Sequence, residues 1–331
     1  MSKIIKWGIL GCGKIANKFA EGLEVLPDAI LEAVASRTEG KAENFGKIFG
    51  VKNTYNNYEE LVKNPAIDVI YIATTHNFHY KNALLCLNHG KPVLCEKPIT
   101  LNAKQAEQLI NTARNNNIFL MEAMWTRFIP CIVKLNEFLD EGLLGEIQHV
   151  TADFGIKKEL DPKVRSFNPD LGGGALLDLG IYPISFARMI YKQPPSKIKS
   201  SAYIGKTNVD EKSCYLFEYE NGQTAMLSSS HRLIMPHDAF IYGTKGYLRI
   251  PDFYHPSKMI LKLEGKQEKT IRVPFKSTGY NYEAMEVMQC LNSGKLESKI
   301  MPLDETLEIM KTMDTLRSQW HLKYPGEQII M

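Results

Sequence analysis

Several short runs of the sequence carry residue types that could do chemistry. Gly11-Cys12-Gly13-Lys14-Ile15-Ala16 is a G-x-G-x-x-A turn. Gly11 permits a tight turn, Gly13 lets the backbone approach a pyrophosphate, and Ala16 is small enough for a helix to close on a strand. A helix opening through Lys14 and Ile15 would offer free N–H groups and a positive dipole end to the diphosphate, with Cys12 in the variable position of the turn. Further on, Ala35-Ser36-Arg37-Thr38 stands where an NAD site usually presents a carboxylate to the ribose 2′-hydroxyl. Ser36 and Arg37 occupy that place instead. A guanidinium binds a 2′-phosphate with forked donors, so this run points to NADP(H) over NAD(H). The plainer reading of Arg37 is a solvated residue that opens the next helix. Thr74-Thr75-His76-Asn77-Phe78-His79 and Glu96-Lys97-Pro98 each follow a short apolar run. Alone, Lys97 reads equally as a solvated turn lysine, and His76 and His79 as polar residues of a helix start.

The elements around these runs alternate in period. Ile4–Leu10, Ala29–Ala35, Ile67–Ala73, Pro92–Cys95 and Ile118–Met121 read as strands. Between them, helical spacing is carried by Ile15, Phe19, Ala20 and Leu23, by Ala42–Phe49, by Tyr80–Leu87 ending at Gly90, and by Ala103–Arg114. This alternation predicts a doubly wound parallel sheet, a Rossmann domain over residues 1–123. Ligands of such sheets bind outside the carboxyl ends of the strands, where the four runs above fall, and the last two of them place Thr74, Thr75, His76, His79, Glu96 and Lys97 around a nicotinamide.

After Met124 the pattern changes. A helix over Ile132–Glu141 leads to a strand over Ile147–Phe154, a loop from Leu160 to Gly174 and a helical segment from Leu176 to Ile190. Strands then follow in series, with Asn221-Gly222 marking a hairpin between Cys214–Tyr219 and Thr224–Ser229. Ala239–Tyr242, Tyr247–Ile250, Met259–Leu263 and Ile271–Val273 continue the run, and helices over Tyr282–Leu291 and Glu305–Trp320 close it. Residues 124–331 are thus predicted to form an α+β domain with an open, mostly antiparallel sheet. Pro183 cannot donate within a continuous helix, so the helix either restarts or kinks there.

Composition bounds the function. The chain has 331 residues, a net charge of +3 and 23% charged residues. Both signs are interspersed, which argues against a nucleic-acid or membrane-surface partner. No apolar run approaches the length of a membrane span, and no secretory signal opens the chain. None of the six cysteines forms a C-x-x-C pair, so no metal site is expected; the thiols read as small buried hydrophobes in a reducing compartment, the cytoplasm.

The glycine turn and Glu96-Lys97-Pro98, at this separation, resemble the glucose–fructose oxidoreductase/inositol dehydrogenase (Gfo/Idh/MocA) family. Phe119-Leu120-Met121-Glu122-Ala123-Met124-Trp125-Thr126-Arg127-Phe128 and Gly172-Gly173-Gly174-Ala175-Leu176-Leu177-Asp178-Leu179-Gly180-Ile181-Tyr182 are similar to its dimeric dihydrodiol dehydrogenase and D-xylose:NADP dehydrogenase branch. The resemblance implies an NADP-dependent oxidoreductase that moves a hydride between nicotinamide and a secondary alcohol or carbonyl of a sugar or cyclic diol. It implies Lys97, Asp178 and Tyr182 as catalytic. Asp178 and Tyr182 stand four apart, on one helix face, and a nearby ammonium would lower the phenol from its reference value of about 10. The resemblance also implies Trp125 and Phe154 as substrate-pocket aromatics, with Tyr254 and Tyr280 as further candidates. Arg127 and Arg165 become anchors for cofactor or substrate oxygens; core aromatics and surface arginines are the plainer reading. A homodimer or homotetramer through the C-terminal sheet is implied. Two other functions stay open: a non-catalytic NADPH-binding regulator, and an NAD-using member acting on another polyol or glycoside.

Overall fold

The computed structural model describes residues 3–327. The chain forms two compact units. Up to Trp125 it belongs to the first, which also takes in Lys276–Leu307; Thr126–Phe275 and Glu308–Glu327 make the second. The sequence reading cuts the chain once, near residue 123. In the structure a later segment also returns to the first unit.

The first unit runs β1 (Ile5–Leu10), α1 (Lys14–Leu23), β2 (Ala29–Ala35), α2 (Lys41–Phe49), β3 (Asn53–Tyr55), α3 (Tyr58–Lys63), β4 (Val69–Ile72), α4 (His76–Asn88), β5 (Val93–Glu96), α5 (Ala103–Asn115) and β6 (Leu120–Ala123). All six strands are parallel, in the order β3-β2-β1-β4-β5-β6. Every residue of β4, β5 and β6 is buried, because a parallel sheet is covered by helices on both faces. On α1 the apolar stripe Ala16, Phe19, Ala20 and Leu23 is the face that meets the sheet. Phe19 stacks on Tyr71 of β4, ring centroids 3.7 Å apart, and meets Trp7 of β1 edge-on at 5.1 Å. The strand order reverses between β1 and β4. The crevice outside their carboxyl ends is where this topology binds ligands.

In the second unit, α6 (Pro130–Asp140) precedes β7 (Ile147–Gly155), and the loop after β7 leads into one π-turn, Leu176–Gly180. Then come α7 (Ile181–Tyr191), β8 (Lys197–Ile204), β9 (Asp210–Glu218), β10 (Thr224–Ser230), β11 (Ala239–Gly243), β12 (Gly246–Ile250), β13 (Lys258–Leu263) and β14 (Lys269–Arg272). The strands form one sheet in the order β14-β13-β12-β11-β7-β10-β9-β8, antiparallel except for β7 beside β10. The hairpin at Asn221-Gly222 joins β9 to β10, with Gly222 at φ 78°. Two helices end the chain: α8 (Tyr280–Asn292), in the first unit, and α9 (Leu303–Gln319). Both fold classes are as the sequence predicts.

The differences are local. β3 and α3 fall in a stretch too short and polar to show a period. β8 alternates exposed and half-buried residues along Lys-Ile-Lys-Ser-Ser-Ala-Tyr-Ile, which suits an edge strand but presents no apolar run. Helix α4 begins at His76 rather than Tyr80, because its first turn, His-Asn-Phe-His, is polar in sequence yet buries both histidines. Pro183 lies in the first turn of α7, which continues from the π-turn without a break, Gly180 and Ile181 both keeping helical angles; the missing N–H therefore falls just past the junction of the π-turn and the α-helix, a distortion of the helix rather than a restart. All six cysteines are free. Four are buried, Cys12 is half-buried and Cys214 is exposed, which corrects the reading of Cys214 as a core residue.

Candidate active site

Each unit carries candidate functional residues of its own. In the first, β1 runs into Gly11, whose φ of +98° favours glycine, and a Cβ there would stand 2.8 Å from the Ala73 carbonyl. Gly13 caps α1 with no side-chain hydrogen bond, and nothing lies within 4 Å of where its Cβ would be. The first turn of α1 therefore presents free N–H groups into open space, as an anion requires. Cys12 is turned back toward the Ala35 carbonyl, and burial pushes its thiol up to about 11, so it is not a nucleophile at neutral pH.

At the end of β2, the Ser36 hydroxyl accepts from the Thr38 N–H. Arg37 lies over the Phe78 ring, its guanidinium carbon 3.9 Å from the centroid, and 5.5 Å from that of Tyr58. Arg37 is thus an oriented guanidinium between two aromatics.

The turns after β4 and β5 are joined through His79. It is fully buried, with Nδ1 2.7 Å from the Pro98 carbonyl and Nε2 3.0 Å from the Thr74 carbonyl. Asn82 donates to the Thr74 hydroxyl, and Thr75 caps the start of α4 with His76 packed edge-on to His79. Tyr71 donates a short hydrogen bond to Glu96, and Glu122 of β6 accepts from the Ile99 N–H, so buried carboxylates flank the turn that holds Lys97. Glu283 of α8 is also fully buried; burial first, and then the neighbouring Glu96, push its carboxyl well above the usual range. Trp125 stacks flat on Tyr280, centroids 4.4 Å apart.

In the second unit the π-turn carries Asp178, with Tyr182 four residues on in α7. Asp178 receives Arg165 on one carboxylate oxygen at 2.9 Å and Lys158 on the other at 3.2 Å. His231 Nε2 lies 3.4 Å from that second oxygen. Lys158 also donates to Ser166. Two cations beside Asp178 favour its charged form. His231 is fully buried, and burial drives its pKa down to about 4 against the opposing pull of Asp178, so it is neutral at pH 7. The Tyr182 ring meets Phe154 edge-on at 5.2 Å and Tyr254 at 6.1 Å, while Phe154 stacks on Tyr254 at 4.5 Å and meets His237 at 4.9 Å. These rings form an apolar wall around the phenol.

Of the sequence-predicted site residues, Phe154, Arg165, Asp178, Tyr182 and Tyr254 lie in the second unit, and the glycine turn, Ser36, Arg37, Thr74, Thr75, His76, His79, Glu96 and Lys97 in the first; Trp125 also falls in the first, although a boundary at residue 123 would put it in the second. Arg127 is 3% exposed and bonds the Ser185 hydroxyl and carbonyl. Lys158 and His231 are missed. Their signal is register: β7 and β10 run parallel, and just past their ends the Lys158 N–H donates to the His231 carbonyl, which seats the two residues side by side. Among the described residues no group of three or more His, Cys, Asp or Glu is placed to hold a metal, and no helix is long and apolar enough to cross a membrane.

Comparison with known proteins agrees with this arrangement. Residues 5–124 match the Gfo/Idh/MocA oxidoreductase family with its NAD-binding Rossmann fold, and residues 132–249 match the Gfo/Idh/MocA C-terminal domain. The trans-1,2-dihydrobenzene-1,2-diol dehydrogenase of Xenopus tropicalis is 39% identical over 331 residues, covering 97% of this chain and 99% of that protein. The enzyme of the same name from Homo sapiens is 33% identical over 333 residues, covering 98% and 99%. Among solved structures, a 3-ketoreductase from Actinomadura kijaniata in complex with NADP and TDP-benzene superposes with a TM-score of 0.85 at 25% identity, covering 95% of this chain and 97% of that one. A levoglucosan dehydrogenase in complex with NADH and levoglucosan shares the fold, with a TM-score of 0.87 at 16% identity and coverage of 95% and 96%. The chain belongs to the Gfo/Idh/MocA oxidoreductase family.

Proposed function

We propose that the protein is an NADP(H)-linked dehydrogenase acting on a secondary alcohol, or on the matching carbonyl, of a cyclic diol or sugar. The observation that carries this reading is Asp178, pinned by Lys158 and Arg165 one helical turn before Tyr182. A fixed carboxylate and a phenol at that spacing suit a hydroxyl that must be held and relieved of its proton. The first unit fits a dinucleotide: the α1 N-terminus is uncapped by any side chain, Gly13 leaves open space, and Arg37 is oriented for a 2′-phosphate. The relatives named as dihydrodiol dehydrogenases, and the 3-ketoreductase solved with NADP, support the substrate class and the cofactor.

The bound dinucleotide supplies the hydride acceptor, or the donor in reverse. In the oxidative direction the carbinol C–H would break with its electron pair leaving as hydride, the O–H would break with its proton passing to Tyr182 as the phenolate, which becomes the phenol, and a C=O would form. In reduction Tyr182 returns the proton to the carbonyl oxygen. Asp178 accepts from a substrate hydroxyl and sets its angle. Lys97, at the end of β5, is the cation for the developing charge on the reacting oxygen. The rings of Phe154 and Tyr254 exclude water from the phenol.

Mixing the purified chain with NADP and a panel of trans-dihydrodiols, aldoses and polyols should raise NADPH absorbance with at least one. Tyr182→Phe should lower kcat by about 10²- to 10⁴-fold, with NADPH binding, followed by fluorescence, retained. Silence across the panel, with no effect of Tyr182→Phe anywhere, would reject the reading.

Two further features belong to it. The exposed face of the second sheet suits self-association into a homodimer or homotetramer. The six free thiols suit a reducing compartment such as the cytoplasm.

A further inference from the structure

His79 presents a donor-counting problem. Its ring is fully buried, and both nitrogens face backbone carbonyls, Pro98 at 2.7 Å and Thr74 at 3.0 Å. A carbonyl oxygen only accepts. A neutral imidazole has one N–H and one bare lone pair, so either neutral tautomer turns a lone pair onto a carbonyl. The imidazolium, with two N–H groups, satisfies both. A buried cation also needs negative charge nearby. Elements around the turn supply it: Glu96 ends β5 and is held by Tyr71, and Glu122 of β6 bonds Ile99, next to Pro98. His76 on the same helix and Lys97 in the clamped turn are ionisable as well.

We infer that His79 is a positioning residue which, as an imidazolium, clamps the Thr74 carbonyl after β4 to the Pro98 carbonyl after β5 and so fixes the turn that carries Lys97. This rests on Lys97 acting at the reacting oxygen, as proposed above. The clamp ties the turns of the adjacent strands β4 and β5, on one side of the crevice of the first sheet. Loss of one proton leaves one carbonyl facing a lone pair and frees one side.

The test has a spectroscopic arm that needs no turnover. The full chain, labelled with ¹⁵N-histidine, is followed by two-bond ¹H–¹⁵N correlation from pH 6 upward. The His79 signals are assigned by their loss in His79→Gln or, if that variant does not fold, by elimination through substitution of the other seven histidines. At pH 8, where a free histidine with its reference pKa of about 6.5 is neutral, His79 should show both nitrogens protonated. One bare nitrogen at that pH overturns the inference. In the kinetic arm, His79→Leu should lower kcat about tenfold or more with NADPH affinity held within about twofold, and His79→Gln, which keeps a donor, should recover part of the loss. Wild-type kcat in a folded His79→Leu also overturns it. Failure of the wild type to turn over any substrate rejects the proposed function instead, and the protonation state is still decided.

Discussion

Asp178 shows how a candidate site residue is held by side chains from other elements of its unit. Its carboxylate is approached from three directions, by Lys158, Arg165 and His231, and none of the three lies on its own helix. His231 titrates against its burial: its pKa falls from 6.5 to about 4. Below pH 6.5 the unfolded chain therefore binds more protons than the folded one. Stability is lost as pH falls from about 6.5 to about 4. His231→Gln should flatten that slope, as measured by urea midpoints at pH 4.5 and 7; an unchanged slope would show that other groups carry it. Arg37 makes a second residue-scale case. Its forked donors stand free of any carboxylate partner of their own strand end, where Ser36 replaces the usual acid. Arg37→Asp should weaken NADPH binding by roughly ten- to a hundredfold, the worth of a charge-assisted pair. NADH should be little affected, and fluorescence titrations of both cofactors would show equal losses if Arg37 were only a helix-opening residue. Arg37 and Tyr182 are candidates from the sequence alone, Arg37 by its place at the end of the second strand and Tyr182 by the resemblance of its segment to the family. His231 and Lys158 are not, since they acquire meaning only when two strands distant in sequence run side by side.

At the scale of elements, the helix that bears Asp178 and Tyr182 depends on how it begins. Gly174 sits at φ +104°, and a Cβ there would collide with the Asp210 carboxylate. Asp210 of β9 accepts from the Leu176 N–H at 2.7 Å, capping the π-turn, and Tyr324 donates to the Gly173 carbonyl from the other side. The glycine run is therefore a packed joint, although its sequence reads as a loop. Asp210 is fully buried, and burial raises its pKa to about 7, against the Leu176 N–H that favours its charge. Between about pH 4 and 7 the folded chain binds the extra proton, so this group's contribution to stability falls as pH rises through that window. That sign is opposite to the one for His231. Asp210→Asn should remove the fall, and its folding equilibrium relative to wild type should improve toward pH 8. The check is paired denaturation at pH 5 and 8; a constant difference at both would mean that Asp210 does not titrate there. The β-α-β alternation of the first unit was plain in the sequence because each strand there is buried on both faces. The start of α4 and all of β8 were hidden, one by buried histidines and one by exposed lysines. In α4 burial departs from residue type; in β8 the lysines are exposed as their type predicts, and no buried apolar run marks the strand.

For the molecule as a whole, the two sheets differ in what covers them. The parallel sheet has helices on both faces. In the eight-stranded sheet, alternate residues of β9 turn in opposite directions: Ser213, Tyr215 and Phe217 are buried, while Lys212 and Cys214 are exposed. α7 packs on β7 and β10. The opposite face carries Met226 at 58% exposure and Tyr203 at 50%, around a shallow concavity of about 580 Å³ lined by Thr151, Ser201, Leu216, Ser228 and Phe240. Large exposed apolar side chains grouped in this way make the face a candidate association surface. A net charge of only +3 opposes self-association weakly. If two copies meet there about a two-fold axis, each substitution on the face enters the interface twice. Met226→Glu would then place two carboxylates in an apolar contact, a penalty of at least several kcal/mol for unpaired buried charge. Sedimentation of the wild type at micromolar concentration should give a dimer or tetramer, and Met226→Glu should give monomer with its secondary structure intact. A monomeric wild type would remove the face from any role in assembly, and an unchanged oligomer in the variant would move the interface elsewhere.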